Sequence, residues 1–196
     1  ANKNTIKIIS EEAGLHGQAY FVYDSKKSGA QTVSHLRFGP RPIDSPYLVQ
    51  SAGFVGCHQF EFVQRVDLLE RAAPGATLLL NCPHPPEEVW DRLPERLQRR
   101  IVELGIRLFA IDAYRVARDT GMGRRINTIM QACFFAITGI IDVAEALAKI
   151  KEMVAKTYGR KGKRVVDQNY AAVDRALDNL APVPPGARSR PPVPTS

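Results

Sequence analysis

YFVYDSKKSGAQTVSHLRFGPRP, residues Tyr20–Pro42, decides how the chain is read. Its two ends are rich in aromatic and β-branched residues, and its middle is polar. Ala19–Asp24 and Thr32–Phe38 are therefore predicted as strands. Ser25–Gln31 joins them, and Gly29 gives the connection its conformational freedom. The expectation is a β-hairpin with a basic loop, followed by Pro40, Pro42 and Pro46, which break regular structure.

Outward from this hairpin, helical and extended patterns alternate. Asn2–Leu15 reads as a helix with Ile6, Ile8, Ile9, Ala13 and Leu15 on its apolar face and Gly14 near its end. Tyr47–Cys57 contains a strand that runs into the polar Cys57-His58-Gln59. Phe60–Ala73 carries Phe62, Val63, Val66 and Leu69 at helical spacing, and Pro74-Gly75 reads as a turn. Ala76–Leu80 is a short, continuous apolar run, the pattern of a strand covered on both faces. Pro85–Leu104 is helical with a division at Pro94, and Ile106–Ile111 is the next strand. After Asp112 the chain is almost wholly helical: Tyr114–Arg118, then Asn127–Ile141, Val143–Tyr158 and Lys163–Leu180. The stripe Ile129, Met130, Cys133, Phe134 and Ile137 is core packing. The pattern predicts an α/β fold, a three-layer α/β/α sheet domain with a mostly helical C-terminal part. It occupies residues 1–181, and residues 182–196 are expected to form a Pro-rich flexible tail that does not pack.

Composition narrows the function. With 196 residues and 44% hydrophobic content, the chain can bury a real core. The net charge of +7 would suit nucleic acid, but the cations are interspersed with acids. A solvated surface with a local anion site is the preferred reading, and nucleic-acid binding and membrane association are not expected. Cys57, Cys82 and Cys133 are far apart and form no CxxC pair, so no zinc ribbon or iron–sulfur cluster is expected here. Buried thiols and polar first residues suit a cytoplasmic setting.

The best anion site is the loop Asp24-Ser25-Lys26-Lys27-Ser28-Gly29, with two ammonium groups, two hydroxyls and a glycine that lets backbone approach a ligand. A solvated basic hairpin explains the same residues equally well. His35 and Arg37, two apart on the following strand, share one face and add a donor and a permanent cation. Lys3 and Asn4 sit at a predicted helix N-terminus, where the dipole and backbone N–H groups favour anions, although Asn2 or Asn4 as a simple cap fits too. Asn127 is the expected cap of its helix, with Arg124 and Arg125 as surface charges. Cys57-His58 invites a nucleophile reading, but no third orienting group is identifiable.

Three stretches carry a resemblance to a known family: ANKNTIKII at the start, the hairpin above, and GRRINTIMQACFFAITGII, residues Gly123–Ile141. Together they resemble the gamma-type domain (domain III) of the pyruvate:ferredoxin (flavodoxin) oxidoreductases, the CoA-acylating 2-oxoacid:acceptor oxidoreductases. The resemblance runs from Ala1 to about Pro182. It implies a part of an enzyme that oxidatively decarboxylates pyruvate to acetyl-CoA. Thiamine diphosphate and [4Fe–4S] clusters would belong to other domains of a parent enzyme, expected to be a homodimer that passes electrons to ferredoxin or flavodoxin. This domain would pack on the thiamine-diphosphate domains and help bind CoA, with no catalytic residue or metal ligand of its own. Lys3 and Asn4 would lie near the cofactor cleft, Lys26, Lys27 and Ser28 would contact CoA phosphates, and Arg37 would support them. The alternative is a non-catalytic docking or assembly domain of the same fold. Family members resemble GSDGTVGANK at this point, whereas the chain starts at Ala1-Asn2-Lys3. The resemblance therefore implies that the family's first strand and most of its Gly-rich turn are missing, leaving either a fragment or a sheet completed by another segment.

Overall fold

The computed structural model describes residues 2–12, 14–23, 32–43 and 50–186. Helix α1 (Asn2–Glu12) is followed by β1 (His16–Tyr23) and β2 (Thr32–Gly39). Next come β3 (Ala52–Cys57), α2 (Phe62–Arg65), β4 (Ala72–Asn81), α3 (Pro86–Arg92), α4 (Glu95–Leu104) and β5 (Arg107–Ile111). The C-terminal part comprises α5 (Ala113–Asp119), α6 (Asn127–Thr138), α7 (Val143–Tyr158), α8 (Lys163–Ala176) and β6 (Ala181–Pro182). Short 3₁₀ turns at Gly159–Lys161 and Leu177–Asn179 follow α7 and α8.

The expected hairpin forms. β1 and β2 run antiparallel in continuous register from His16 opposite Gly39 to Tyr23 opposite Thr32. A separate sheet has the order β3-β4-β5-β6, in which β3, β4 and β5 are parallel and β6 is antiparallel to β5.

Alternation along the central strands sets the layers, because successive strand side chains point to opposite faces. Leu79 and Ile111 enter one apolar cluster, with Phe54 and Phe109 packed against it. Leu78, Leu80, Leu108 and Ala110 enter a second cluster with Cys57. The first is covered by α1, α5, α6, α7 and α8 through residues such as Ile9, Val116, Ile129, Ile150 and Val173. The second lies under α2, α3 and α4 through Val63, Trp90 and Ile101. This is the three-layer α/β/α arrangement that the apolar runs predicted. Asp112 and Asp142 begin α5 and α7 by accepting hydrogen bonds from Arg115 N (2.9 Å) and Glu145 N (3.1 Å). The division at Pro94 also holds: Leu93 and Pro94 are extended between α3 and α4.

Four local expectations are corrected. Phe60–Ala73 is not one helix. α2 stops at Arg65, Asp67 Oδ1 accepts from Leu69 N (3.1 Å), and Leu69 reaches the core from a turn. Arg96 of α4 donates to the carbonyls of Val63, Gln64 and Val66, the groups a longer helix would have used internally. Pro74-Gly75 is not a connecting turn but a bulge within β4: pairing steps from Ala52–Ala72 to Phe54–Thr77. Asn127 is the first helical residue of α6, preceded by Ile126, and makes no cap hydrogen bond. The tail packs as far as Gly186. Ala181 and Pro182 pair with β5, Val183 N donates to Leu108 O (2.8 Å), and Val183 is buried. A Cβ on Gly186 would lie 2.6 Å from Trp90 Cδ1, so its backbone rests directly on the indole. Residues 187–196 lie outside the described residues.

Candidate functional site

Three of the six sequence-predicted site residues fall on two packed elements. Lys3 and Asn4 occupy the first turn of α1, and Arg37 lies on β2 opposite Gln18. α1 packs on both β1 and β2, so its N-terminal turn and the Arg37 strand belong to one substructure. His35, two residues before Arg37, pairs opposite Tyr20. Lys26, Lys27 and Ser28 fall between the paired ends Tyr23 and Thr32, outside the described residues.

Two contacts that the sequence reading missed fix this substructure. Thr5 is buried beside the first turn of α1, and its Oγ1 accepts a hydrogen bond from Gln131 Nε2 of α6 (2.9 Å). Gln131 is itself buried, so breaking the contact would leave buried polar atoms unpaired. At the other end of α1, Lys149 of α7 forms an ion pair with Glu12 (2.8 Å). α1 is thus tied at both ends to the helical layer. The only sequence signal for the first contact is a polar residue on an otherwise apolar stripe, with its partner 126 positions away.

The arginines of GRRIN are engaged locally. The Arg124 guanidinium lies over the Tyr114 ring, 5.8 Å from its centroid, and Arg125 Nε donates to Met122 O (3.2 Å). They hold the approach to α6, the helix that carries Gln131.

The carboxyl ends of the parallel strands are where ligands commonly sit in open α/β sheets. Here those ends are stapled by Asn81, which the sequence reading also missed. Asn81 Nδ2 donates to His58 O (3.0 Å), and its Oδ1 accepts from Ala113 N (2.9 Å). Its single amide joins the ends of β3 and β4 to the start of α5. Cys57 Sγ donates to Gln59 O (3.0 Å), and burial pushes its thiol pKa up to about 11, which disfavours the thiolate that a nucleophile needs. Protein packed around the His58 ring lowers its basicity, although part of the residue remains exposed. Burial raises Cys82 as well and takes Cys133 to about 12. Among the described residues, no three His, Cys, Asp or Glu side chains gather as a metal site. None of the described helices is long and apolar enough to cross a membrane.

The family model for pyruvate ferredoxin/flavodoxin oxidoreductase matches residues 1–179. The chain belongs to this family. It is 58% identical over 183 residues to the pyruvate-flavodoxin oxidoreductase of Rhodospirillum rubrum, covering 93% of this chain and 15% of that protein. It therefore spans about a seventh of the length of that relative. Among solved structures, it superposes on the pyruvate oxidoreductase subunit PORC of Thermotoga maritima with a TM-score of 0.68 at 18% identity, covering 92% of this chain and 88% of that one. It also superposes on the 2-oxoglutarate:ferredoxin oxidoreductase of Magnetococcus marinus, described with 2-oxoglutarate, coenzyme A and succinyl-CoA bound. There the TM-score is 0.62 at 16% identity, and coverage is 90% of this chain and 28% of that one. At these identities the two structures establish the fold.

Proposed function

We propose that this chain is the gamma-type domain of a CoA-acylating pyruvate:ferredoxin/flavodoxin oxidoreductase, and that it positions CoA for acyl transfer. The reading rests on one observation: a family member packs α1 against the hairpin, with Lys3 and Asn4 in the first turn of one and Arg37 in the other. CoA is a polyanion with a flexible arm. The hairpin cations Lys26, Lys27 and Arg37, with Ser28 as a hydroxyl donor, would hold its phosphates by charge-assisted hydrogen bonds. Lys3 and Asn4, at the α1 N-terminus, would lie toward the thiamine cleft, where outward N–H groups and the helix dipole favour negative charge.

Thiamine diphosphate and [4Fe–4S] clusters supply decarboxylation and electron transfer when bound, and the described residues of this chain offer no ligand set for a cluster. The contribution of the chain is geometric. Immobilising the CoA phosphates turns a bimolecular encounter of thiol and acyl group into a positioned one, an effect reaching several kcal/mol in favourable cases.

In the full-length enzyme, Lys27→Ala and Arg37→Ala should each raise the KM for CoA about tenfold, the equivalent of losing one charge-assisted hydrogen bond. The KM for pyruvate should hold within about twofold. A CoA KM unchanged in both variants would refute the positioning role. A docking role has its own support in Phe38, which is 37% exposed and lies edge-on to Phe134 with centroids 6.5 Å apart. If docking is the whole role, Phe38→Ser should weaken assembly, and Lys27→Ala and Arg37→Ala should disturb assembly without a specific effect on CoA.

A further inference from the structure

Thr5 and Gln131 form a polar contact inside an apolar layer. Each is 6% exposed, and Gln131 Nε2 donates to Thr5 Oγ1 at 2.9 Å. On α6 the neighbours of Gln131 are Ile129, Met130, Ala132, Cys133 and Phe135, all buried. An apolar pair of the same volume would serve stability about as well, because a buried hydrogen bond adds little net free energy. What the bond adds is direction. Apolar packing is non-directional, whereas a hydrogen bond weakens steeply when its donor and acceptor are misaligned.

α1 needs such a constraint. It holds the core through Ile8 and Ile9, both buried in the cluster that contains Leu79, Ile129 and Ile150. That contact keeps the helix on its layer but fixes neither its rotation nor its place along its own axis. The Glu12–Lys149 pair at the far end is partly exposed and ends on a flexible lysine stem, so it constrains little. A slip of one residue position would carry the first turn about 1.5 Å along the axis. Where reacting groups must be held in place, a misplacement on the order of 1 Å can cost about 100-fold.

Gln131 is suited to be the fixed end. Met130 N donates to Ile126 O (2.9 Å) at the start of α6, and Arg124 and Arg125 hold the approach through the Tyr114 ring and Met122 O. The Gln131 side chain is not clamped by close packing on every side. A cavity of about 80 Å³ lies against it, lined also by Thr128, Ile150, Met153 and Val154. Such space would admit other rotamers, so the bond to Thr5 selects the one observed. Thr5 is β-branched and has few χ1 rotamers in a helix, so its hydroxyl passes the constraint on to the α1 backbone.

We infer that Thr5 and Gln131 are positioning residues: their hydrogen bond is a register lock that sets where the first turn of α1, with Lys3 and Asn4, stands relative to the helical layer. On the reading under Proposed function, on which this inference rests, that turn belongs to the CoA site. The lock then acts on CoA binding without touching the ligand.

The test uses the full-length enzyme, with CoA binding measured by titration calorimetry and the KM for pyruvate as a control. Thr5→Val keeps the shape of threonine and removes the acceptor. Gln131→Met keeps much of the volume and removes the donor, and it is read in parallel because Thr5 takes part in a further interaction. Each should weaken CoA binding on the order of tenfold, with the KM for pyruvate within about twofold. Thr5→Ser, which keeps the hydroxyl, should bind CoA within about twofold of wild type. The double variant should bind no more weakly than either single one, because both remove the same interaction. It also separates register from stability. Thr5→Val leaves the Gln131 amide buried without its acceptor and should speed amide exchange in α6, whereas the double variant buries neither polar group and should exchange more slowly than Thr5→Val. CoA affinity that recovers together with exchange in the double variant would overturn the inference and leave the contact a purely structural role. Additive losses in the double variant would overturn it as well. So would unchanged CoA affinity in both single variants while Arg37→Ala binds CoA more weakly, a result that leaves CoA positioning intact. If neither Lys27→Ala nor Arg37→Ala weakens CoA binding, the CoA reading itself fails and takes the lock's role with it.

Discussion

Replacing Asn81 with alanine tests the claim that one buried amide organises the carboxyl ends of the sheet. Asn81 is 2% exposed and Ala113 is fully buried. In Asn81→Ala, the Ala113 N–H loses its acceptor at a place water does not reach, while the His58 carbonyl loses its donor. A buried unsatisfied donor costs about 1–3 kcal/mol, so a middle figure of about 2 kcal/mol is the expected loss of local stability. In amide exchange limited by local opening, that corresponds to about 30-fold faster exchange at the start of α5. Mass-spectrometric hydrogen exchange on the full-length enzyme, read on a peptide spanning β5 and α5, measures it directly. Asn81→Asp separates the two bonds. A carboxylate still accepts from Ala113 but sets an oxygen against the His58 carbonyl. The end of β3 should then loosen while α5 stays protected. Exchange within about twofold of wild type at both ends of the alanine variant would refute the stapling role.

Other perturbations reach different parts of the molecule. Gly186→Ala would put a Cβ 2.6 Å from Trp90, a buried ring with little room to move; the expected overpacking, about 1–3 kcal/mol, should speed limited proteolysis after Val183. Hydrogen bonds from Lys149 and Glu145 hold the Glu12 carboxyl below the usual glutamate range, while sharing a hydrogen bond with Glu12 raises Glu145. A depressed carboxylate stabilises the fold above its unfolded pKa, and that contribution disappears as pH falls through the lowered value. The raised Glu145 opposes it, its favourable contribution being lost as pH rises through its own value. Glu145→Gln should therefore slow amide exchange in α1 at pH 7, with the difference from wild type vanishing in acid below both carboxyl pKa values. Cys57 and Cys133, pushed up to about 11 and about 12, should stay neutral and resist iodoacetamide at pH 8 until denaturant is added, as peptide mass spectrometry would read.

The layers were legible because TLLLN and RLFAI are short, continuous apolar runs, the pattern of strands covered on both faces, whereas the caps Asp112 and Asp142 emerged only in the structure. Spacing misled at Phe60–Ala73. Val63 and Leu69 both reach the core, but Arg96, distant in sequence, takes the carbonyls that a continuous helix needs. Proline misled at the tail: Pro182 pairs with Phe109 at the end of the sheet, where its missing N–H does no harm. The candidate site was legible in residue types, because cations in a hairpin and at a helix start have simple anion chemistry. Its supports were not. Thr5 with Gln131 and Asn81 with Ala113 are tertiary hydrogen bonds between distant positions, and neither pair carries a local pattern.

The two-residue β6 gives the sheet a direction of growth. On the β5 side, the ladder ends in Ala181 and Pro182, too short to template another strand and lacking one of the donors it would need, with Val183–Gly186 folded back as far as Trp90. On the opposite flank, β3 is hydrogen-bonded to β4 alone among the described residues. Any strand that joins, from elsewhere in a longer polypeptide or from a second copy in concentrated solution, must seat at β3. It would pair with the strand that carries Phe54, whose ring lies edge-on to Phe134 with centroids 5.0 Å apart. Growth of the four-stranded sheet is thus confined to its β3 flank.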